Sequence, residues 1–179
     1  GWVDLHRNYR FLENGNILWI SERTGWKHLF LHSKNGKLIN QITNGEWEVK
    51  RIVHIDENKN KIYFTSNKES VFETRFYSIN FDGSGLKLLT NEEGSHSIKV
   101  LPKGDSFIDS FSSLKQPQKH LLKDMNGKLI KVIAETDKSQ FEIYDWTYPQ
   151  IMQFKSDDGT AILDGIVTFP PDYQKNKRY

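Results

Sequence analysis

The chain has 179 residues, 36% of them hydrophobic and 13% aromatic, with no cysteine and a formal net charge of +2. Its acids and bases are interspersed, so no charge imbalance points to nucleic acid or an anionic membrane, and no apolar run reaches membrane-spanning length. The missing cysteine excludes disulfides and thiolate-bound metals, and a core made from so few apolar residues must rely on large Trp, Phe and Tyr side chains.

In chain order, "YRFLENGNILWISE" from Tyr9 reads as a hairpin: two short runs of apolar-polar alternation around a polar turn. "LFLHSKNGKLINQIT" from Leu29 is a second hairpin, with Asn35-Gly36 supplying the positive φ that tight turns require. "RIVHIDENKNKIYFTS" from Arg51 and "FYSINFDGSGLKLLT" from Phe76, with Asp82-Gly83, repeat the pair. "IKVLPKGDSFIDSFSS" from Ile98 and "LLKDMNGKLIKVIA" from Leu121, with Asn126-Gly127, repeat it again. The turn glycines fall at 36, 83 and 127, a period of about 44 to 47 residues. No segment sustains a helical period. A four-stranded antiparallel unit of this length is one blade of a β-propeller, which must pack on neighbouring blades to bury its faces. The chain is therefore all-β, with about three blades. A closed ring needs about four to eight blades, so this is an arc, completed by a longer protein or by another copy.

The last segment departs from the repeat. "PQIMQFKSDDGTAILDGIVTFPPDY" is strand, turn at Asp157-Asp158-Gly159, strand, with no second hairpin after it. Its "AILDGIVTF" strand is more continuously apolar than the blade strands, as in an element entering another domain. The expected division is 1–145 for the late blades and 146–179 for a linker and the first hairpin of the next domain. Asp145 to Pro149 would be the link, with Trp146 and Tyr148 packed against the last blade.

"WISERTGWKHLFLHSKNGKLINQITNGEWEV", "DSFSSLKQPQ" and "DGTAILDGIVTFPPDYQKNKRY" together resemble the dipeptidyl peptidase IV family, within the prolyl oligopeptidase class of serine peptidases. The stretches cover nearly the whole chain in the family's order. The resemblance implies a truncated α/β-hydrolase domain beginning at the terminal hairpin, with the chain stopping just before that domain's first long buried strand. It also implies a periplasmic or extracellular parent that needs no cofactor.

Candidate chemistry within the chain is sparse. A serine hydrolase of this class needs Gly-x-Ser-x-Gly, whose strained turn presents the serine to a histidine base. Ser84 in "DGSGLK" has the wrong spacing and sits in a hairpin turn. Ser95 and His96 are adjacent, so on a strand they point to opposite faces. His28 and His32 share a strand face but lie about 13 Å apart, too far for one metal ion, and read as decoration of a hairpin. Trp47 in "GEWEV" reads as a blade-packing anchor with Glu46 and Glu48 facing solvent. Asp109, Ser110, Ser112 and Ser113 read as caps and turn bonds. The resemblance places the catalytic serine, aspartate and histidine beyond Tyr179, so no catalytic residue is expected here and the chain alone is inactive. It places a substrate-side arginine and aromatic after a Gly-Trp-Val stretch, matched by Gly1-Trp2-Val3. Arg7 and Tyr9 are thus the candidates for facing the substrate cavity.

The function implied is that of part of a serine exopeptidase removing N-terminal dipeptides. The propeller would wall the active-site cavity and admit short peptides, with the hydrolase domain and earlier blades as its partners. The competing reading is a non-catalytic propeller that binds a protein or glycan, since propellers host many functions. A terminal hairpin belonging to a second domain favours the first reading. Exposed blade edges also imply a tendency to self-associate.

Overall fold

A computed structural model describes residues 8–139, 143–144 and 147–177. The described residues form strands and turns, with no helix. The first sheet orders β1 (Tyr9–Phe11), β2 (Ile17–Ser21), β3 (His28–His32) and β4 (Leu38–Gln41) side by side. The second comprises β5 (Val49–Asp56), β6 (Lys61–Ser66), β7 (Arg75–Asn80) and β8 (Lys87–Leu88). The third comprises β9 (Ser95–Val100), β10 (Ser106–Ser112), β11 (Lys119–Asp124) and β12 (Leu129–Glu135). Every neighbouring pair is antiparallel and consecutive in sequence. These are the three blades that the repeat predicts, and they match a propeller arc.

The hairpin turns differ from the sequence expectation in one respect. Gly36, Gly83 and Gly127 have φ of +80°, +87° and +87°, whereas Asn35, Asp82 and Asn126 do not have positive φ. Gly36 N–H donates to the Ser33 carbonyl and Ser33 N–H to the Lys37 carbonyl, both at 2.8 Å. This is a turn followed by one left-handed residue, the bulged form of hairpin loop, and only the glycine needs left-handed freedom.

The blades stack face to face. One apolar cluster joins Leu18, Ile20, Leu29 and Leu31 of the first blade to Val49, Ile52, Ile62, Phe64, Tyr77 and Ile79 of the second. Another joins Tyr63, Phe76 and Leu89 of the second to Ile98, Phe107 and Met125 of the third. Each such side chain, fully buried, contributes about 1.5–3 kcal/mol relative to exposure. Trp47 wedges into the first seam as the sequence suggests, stacked on Phe64 at 6.4 Å and edge-on to His28 at 5.0 Å. Hydrogen bonds between neighbouring blades fix their offset. The Glu57 carboxylate accepts from Glu13 N–H, Asn40 Nδ2 donates to the Phe81 carbonyl, and Arg51 Nη2 donates to the Ile98 carbonyl.

Strand register makes positions comparable between blades. Trp19 lies opposite Tyr9 and Phe30, Phe64 opposite Ile52 and Tyr77, and Asp109 opposite Ile98 and Leu121. Trp19, Phe64 and Asp109 are therefore the same site in successive blades.

β13 (Gln150–Lys155) and β14 (Ile162–Val167) form a separate two-stranded sheet. The turn at Asp157-Asp158-Gly159 joins them, and Asp158 gathers Ser156 Oγ, Thr160 N–H and Thr160 Oγ1. Those bonds hold the Asp158 carboxyl down at about 2, the Ser156 hydroxyl first among them. Ile151, Phe154, Ile162 and Ile166 of this hairpin are all at least half exposed. In the expected linker, Asp145 and Trp146 lie outside the described residues; Tyr148 is 41% exposed.

Candidate functional site

The loop 67–74 between β6 and β7, the turn before β9 and the turn after β10 gather at one end of the blades. With the start of β13 they enclose a cleft of about 700 Å³ lined by Phe72, Glu73, Glu93, Ser95, Leu114 and Ile151, among others. The terminal hairpin is thus one wall and the second and third blades are the other.

The blade wall is fixed residue by residue. Gly94 has φ of +128°, and a Cβ there would lie 2.2 Å from the Ser112 carbonyl oxygen, so no other residue fits. Its N–H donates to Glu73 Oε1 at 2.8 Å, while Glu73 Oε2 accepts from Arg75 Nε and Nη2 at 2.8 and 2.6 Å. Ser95 Oγ donates to the Phe72 carbonyl at 3.2 Å.

Behind this wall, in the seam between the second and third blades, lies a buried polar network. His96 Nδ1 shares a hydrogen with Asp109 Oδ1 across 2.7 Å, and His96 Nε2 donates to the Glu92 carbonyl at 2.9 Å. Lys123 Nζ donates to Glu92 Oε2 at 2.6 Å. Lys123 Nζ also stands 3.0 Å from Asp109 Oδ2, a charge contact without hydrogen-bond alignment. Asp109 is 0% exposed, Lys123 2% and His96 4%. Burying such groups is costly unless each finds its counterpart. Here the network ties β9, β10 and β11 to the turn that forms the cleft wall.

The residues singled out in the sequence fall as follows. Arg7 lies outside the described residues. Tyr9 opens strand β1, opposite Trp19, with its ring edge-on to Phe11 at 5.7 Å. It is not in the cleft, whose described lining comes from other segments. Ser84 bonds Asp82 and Asn80 within its turn. Ser95 faces out and His96 in, as alternation requires. His28 and His32 are not surface decoration: both are buried. His28 contacts Thr43 Oγ1 and the Gly45 carbonyl, and His32 Nδ1 contacts the Gly36 carbonyl. Asp109 is neither cap nor turn residue but the centre of the buried network.

Sequence reasoning missed the pairing of Ser110, read there as a cap or turn residue, with His120: they are cross-strand partners with Oγ and Nδ1 2.8 Å apart. Their ten-residue separation hides the pairing until the register is known. Ser110 and His120 face each other across the β10–β11 ladder, His120 beside a register shift of β11 against β12, and the pair is a cross-strand hydrogen bond. Among the described residues, no group of three His, Asp or Glu side chains is placed to hold a metal ion.

Comparison with known proteins places these features. The sequence model for the dipeptidyl peptidase IV N-terminal region matches residues 1–118. Dipeptidyl peptidase 4 of Arthroderma otae is 32% identical over 189 aligned residues, covering 100% of this chain and 24% of that protein. Dipeptidyl peptidase 4 of Trichophyton rubrum is 27% identical over 188, with the same coverage. The chain thus spans about a quarter of the length of these relatives. The crystal structure of Porphyromonas gingivalis dipeptidyl peptidase 4 superposes with a TM-score of 0.86 over 94% of this chain and 24% of that one, at 19% identity. At that identity the likeness speaks for the fold.

Proposed function

This chain belongs to the family of dipeptidyl peptidase IV N-terminal regions, and from that membership we propose that it forms the late propeller blades of a serine exopeptidase releasing N-terminal dipeptides. The observation that carries the reading is the order of elements: three blades, then a hairpin outside the repeat, aligned throughout with dipeptidyl peptidase 4 relatives. Residues 146–179 start the hydrolase domain, which supplies the serine, histidine and aspartate. The blades' part is physical. They wall the active-site cavity, limit it to short or unfolded peptides, and seat the hydrolase domain along the cleft between the fixed turn at Gly94 and β13. Arg7 and Tyr9 are the candidates for a substrate contact on the propeller side, by resemblance to the family's Gly-Trp-Val stretch. The parent works outside the cytoplasm, in the periplasm or the extracellular medium.

The test is an alanyl-prolyl or glycyl-prolyl chromogenic reporter. The parent protein should release dipeptide from it, with the activity abolished by a serine-directed acylating inhibitor, and this chain alone should release none. A purified, folded parent with no release would refute the reading.

A further inference from the structure

Four Asn-Gly dipeptides run through the chain: Asn14-Gly15, Asn35-Gly36, Asn44-Gly45 and Asn126-Gly127. Three of them sit in hairpin turns of one design. Gly15 N–H donates to the Leu12 carbonyl at 2.9 Å, Gly36 N–H to that of Ser33 at 2.8 Å, and Gly127 N–H to that of Asp124 at 2.9 Å. The fourth lies in the connection between β4 and β5 and differs. Asn44 and Gly45 are both exposed, and neither the Gly45 N–H nor the Asn44 side chain has a hydrogen-bond partner among the described residues.

Asn44 also separates the two groups that grip a buried histidine. Thr43 Oγ1 lies 3.1 Å from His28 Nδ1, and the Gly45 carbonyl lies 2.9 Å from His28 Nε2. Trp47 stands edge-on to that ring at 5.0 Å and stacks on Phe64 of the second blade. The Trp47 indole leaves no room for a Cβ at Gly45, whose φ is +124°. The seam therefore requires glycine at the position that follows the exposed asparagine.

We propose that Asn44 is a deamidation site, and that its conversion loosens the seam between the first and second blades. The Gly45 amide nitrogen attacks the Asn44 side-chain carbonyl carbon. The N–Cγ bond forms as the Cγ–Nδ2 bond breaks, and ammonia leaves with the hydrogen of the Gly45 N–H. Water then opens the five-membered imide at one of its two carbonyls. Opening at Cγ leaves aspartate; opening at the main-chain carbonyl leaves isoaspartate, with the chain routed through Cγ. The sum is asparagine plus water giving a carboxylic acid plus ammonia, with no change of oxidation state. Glycine favours ring closure because no Cβ obstructs it. In the three hairpin turns the same nitrogen must first give up its hydrogen bond, which slows the step roughly tenfold. Isoaspartate adds one backbone carbon between Thr43 and Gly45, so their two grips no longer match the His28 ring. It also adds a negative charge beside Glu46 and Glu48. None of this depends on peptidase chemistry, so it stands or falls apart from the reporter assay.

The test ages the full-length protein under native conditions at mildly alkaline pH and follows each dipeptide by peptide mass spectrometry. Asn44 should convert roughly tenfold faster than Asn14, Asn35 and Asn126. Conversion at Asn44 no faster than at any of those three overturns the proposal. In denaturant the four rates should converge; an Asn44 lead that persists there would belong to local sequence and overturn the structural assignment. Anion exchange then separates the fraction carrying isoaspartate at position 44. Its Tm should lie below that of unaged protein, while Asn44→Gln should keep its Tm through the same ageing. A modified fraction with an unchanged Tm, or an Asn44→Gln variant that loses as much, removes the link to the seam.

Discussion

Asp109 and Phe64 hold the same strand position in successive blades, each 0% exposed against the blade before it. Around Phe64 the surroundings are apolar; around Asp109 stand His96 and Lys123. Lys123 in turn replaces Ile79: Ile62 pairs with Ile79 in the second blade, and Phe107 with Lys123 in the third. The third blade, whose turns meet the terminal hairpin, has exchanged apolar packing for a directional network at that seam. The desolvation of such buried charges offsets much of their mutual attraction, so the network is weak evidence for added stability.

Removing one partner should therefore cost more than removing both. Asp109→Leu leaves the Lys123 ammonium buried with only Glu92, and should cost about 3–5 kcal/mol. Adding Lys123→Met should restore much of that loss. Urea midpoints with constant m-values read it out, and losses that simply add would contradict the network as described.

The interblade glycines give a second prediction. Gly83→Ala and Gly127→Ala each combine a left-handed backbone cost of about 1 kcal/mol with overpacking of about 1–3 kcal/mol against a carbonyl that cannot move aside, that of Ile42 for Gly83 and of Leu89 for Gly127. Gly127→Ala, with the closer approach of 2.5 Å, should cost more than Gly83→Ala at 2.9 Å. Unfolding free energies compared with Gly25→Ala, where φ is +96° and a Cβ meets open space, would show it; a Gly127→Ala variant no worse than Gly25→Ala would remove the seam contact from the account.

Alkaline stability gives a third. Burial first, then the charge and hydrogen bond of Glu69, push the Tyr77 hydroxyl's pKa up from its ordinary value. The unfolded chain loses that proton near about pH 10, before the folded one. The contribution is therefore full below about pH 10 and is lost as pH rises through the folded value. Tyr77→Phe should flatten the fall of the unfolding midpoint above about pH 10. Burial also raises Tyr63, so some slope remains. A Tyr77→Phe profile parallel to the parent's would contradict the assignment.

The sequence made the blades legible because their signals are local. Asn35-Gly36, Asp82-Gly83 and Asn126-Gly127 mark each turn, and short alternating runs flank them. Trp47 was legible as a packing anchor because a large aromatic just after a turn rarely stays exposed without a role. The network was not legible. His96, Asp109 and Lys123 sit on three strands, and they meet only through a register that no local pattern reveals. In "DSFSS" the aspartate looks like a cap, because Asp and Ser side chains readily hydrogen-bond nearby backbone in turns. His28 and His32 looked superficial because a hairpin's polar residues usually are; both are buried, with one ring nitrogen of each on a carbonyl, Gly45 for His28 and Gly36 for His32, while His32 Nε2 has no hydrogen-bond partner among the described residues.

The most direct test of the central claim is product identification with the full-length protein on paired peptides that differ only in a free or acetylated N-terminus. The account predicts intact dipeptides, seen by mass spectrometry, from short peptides with a free N-terminus and none from their acetylated twins. Internal cleavage, or equal cleavage of the blocked peptides, would contradict it.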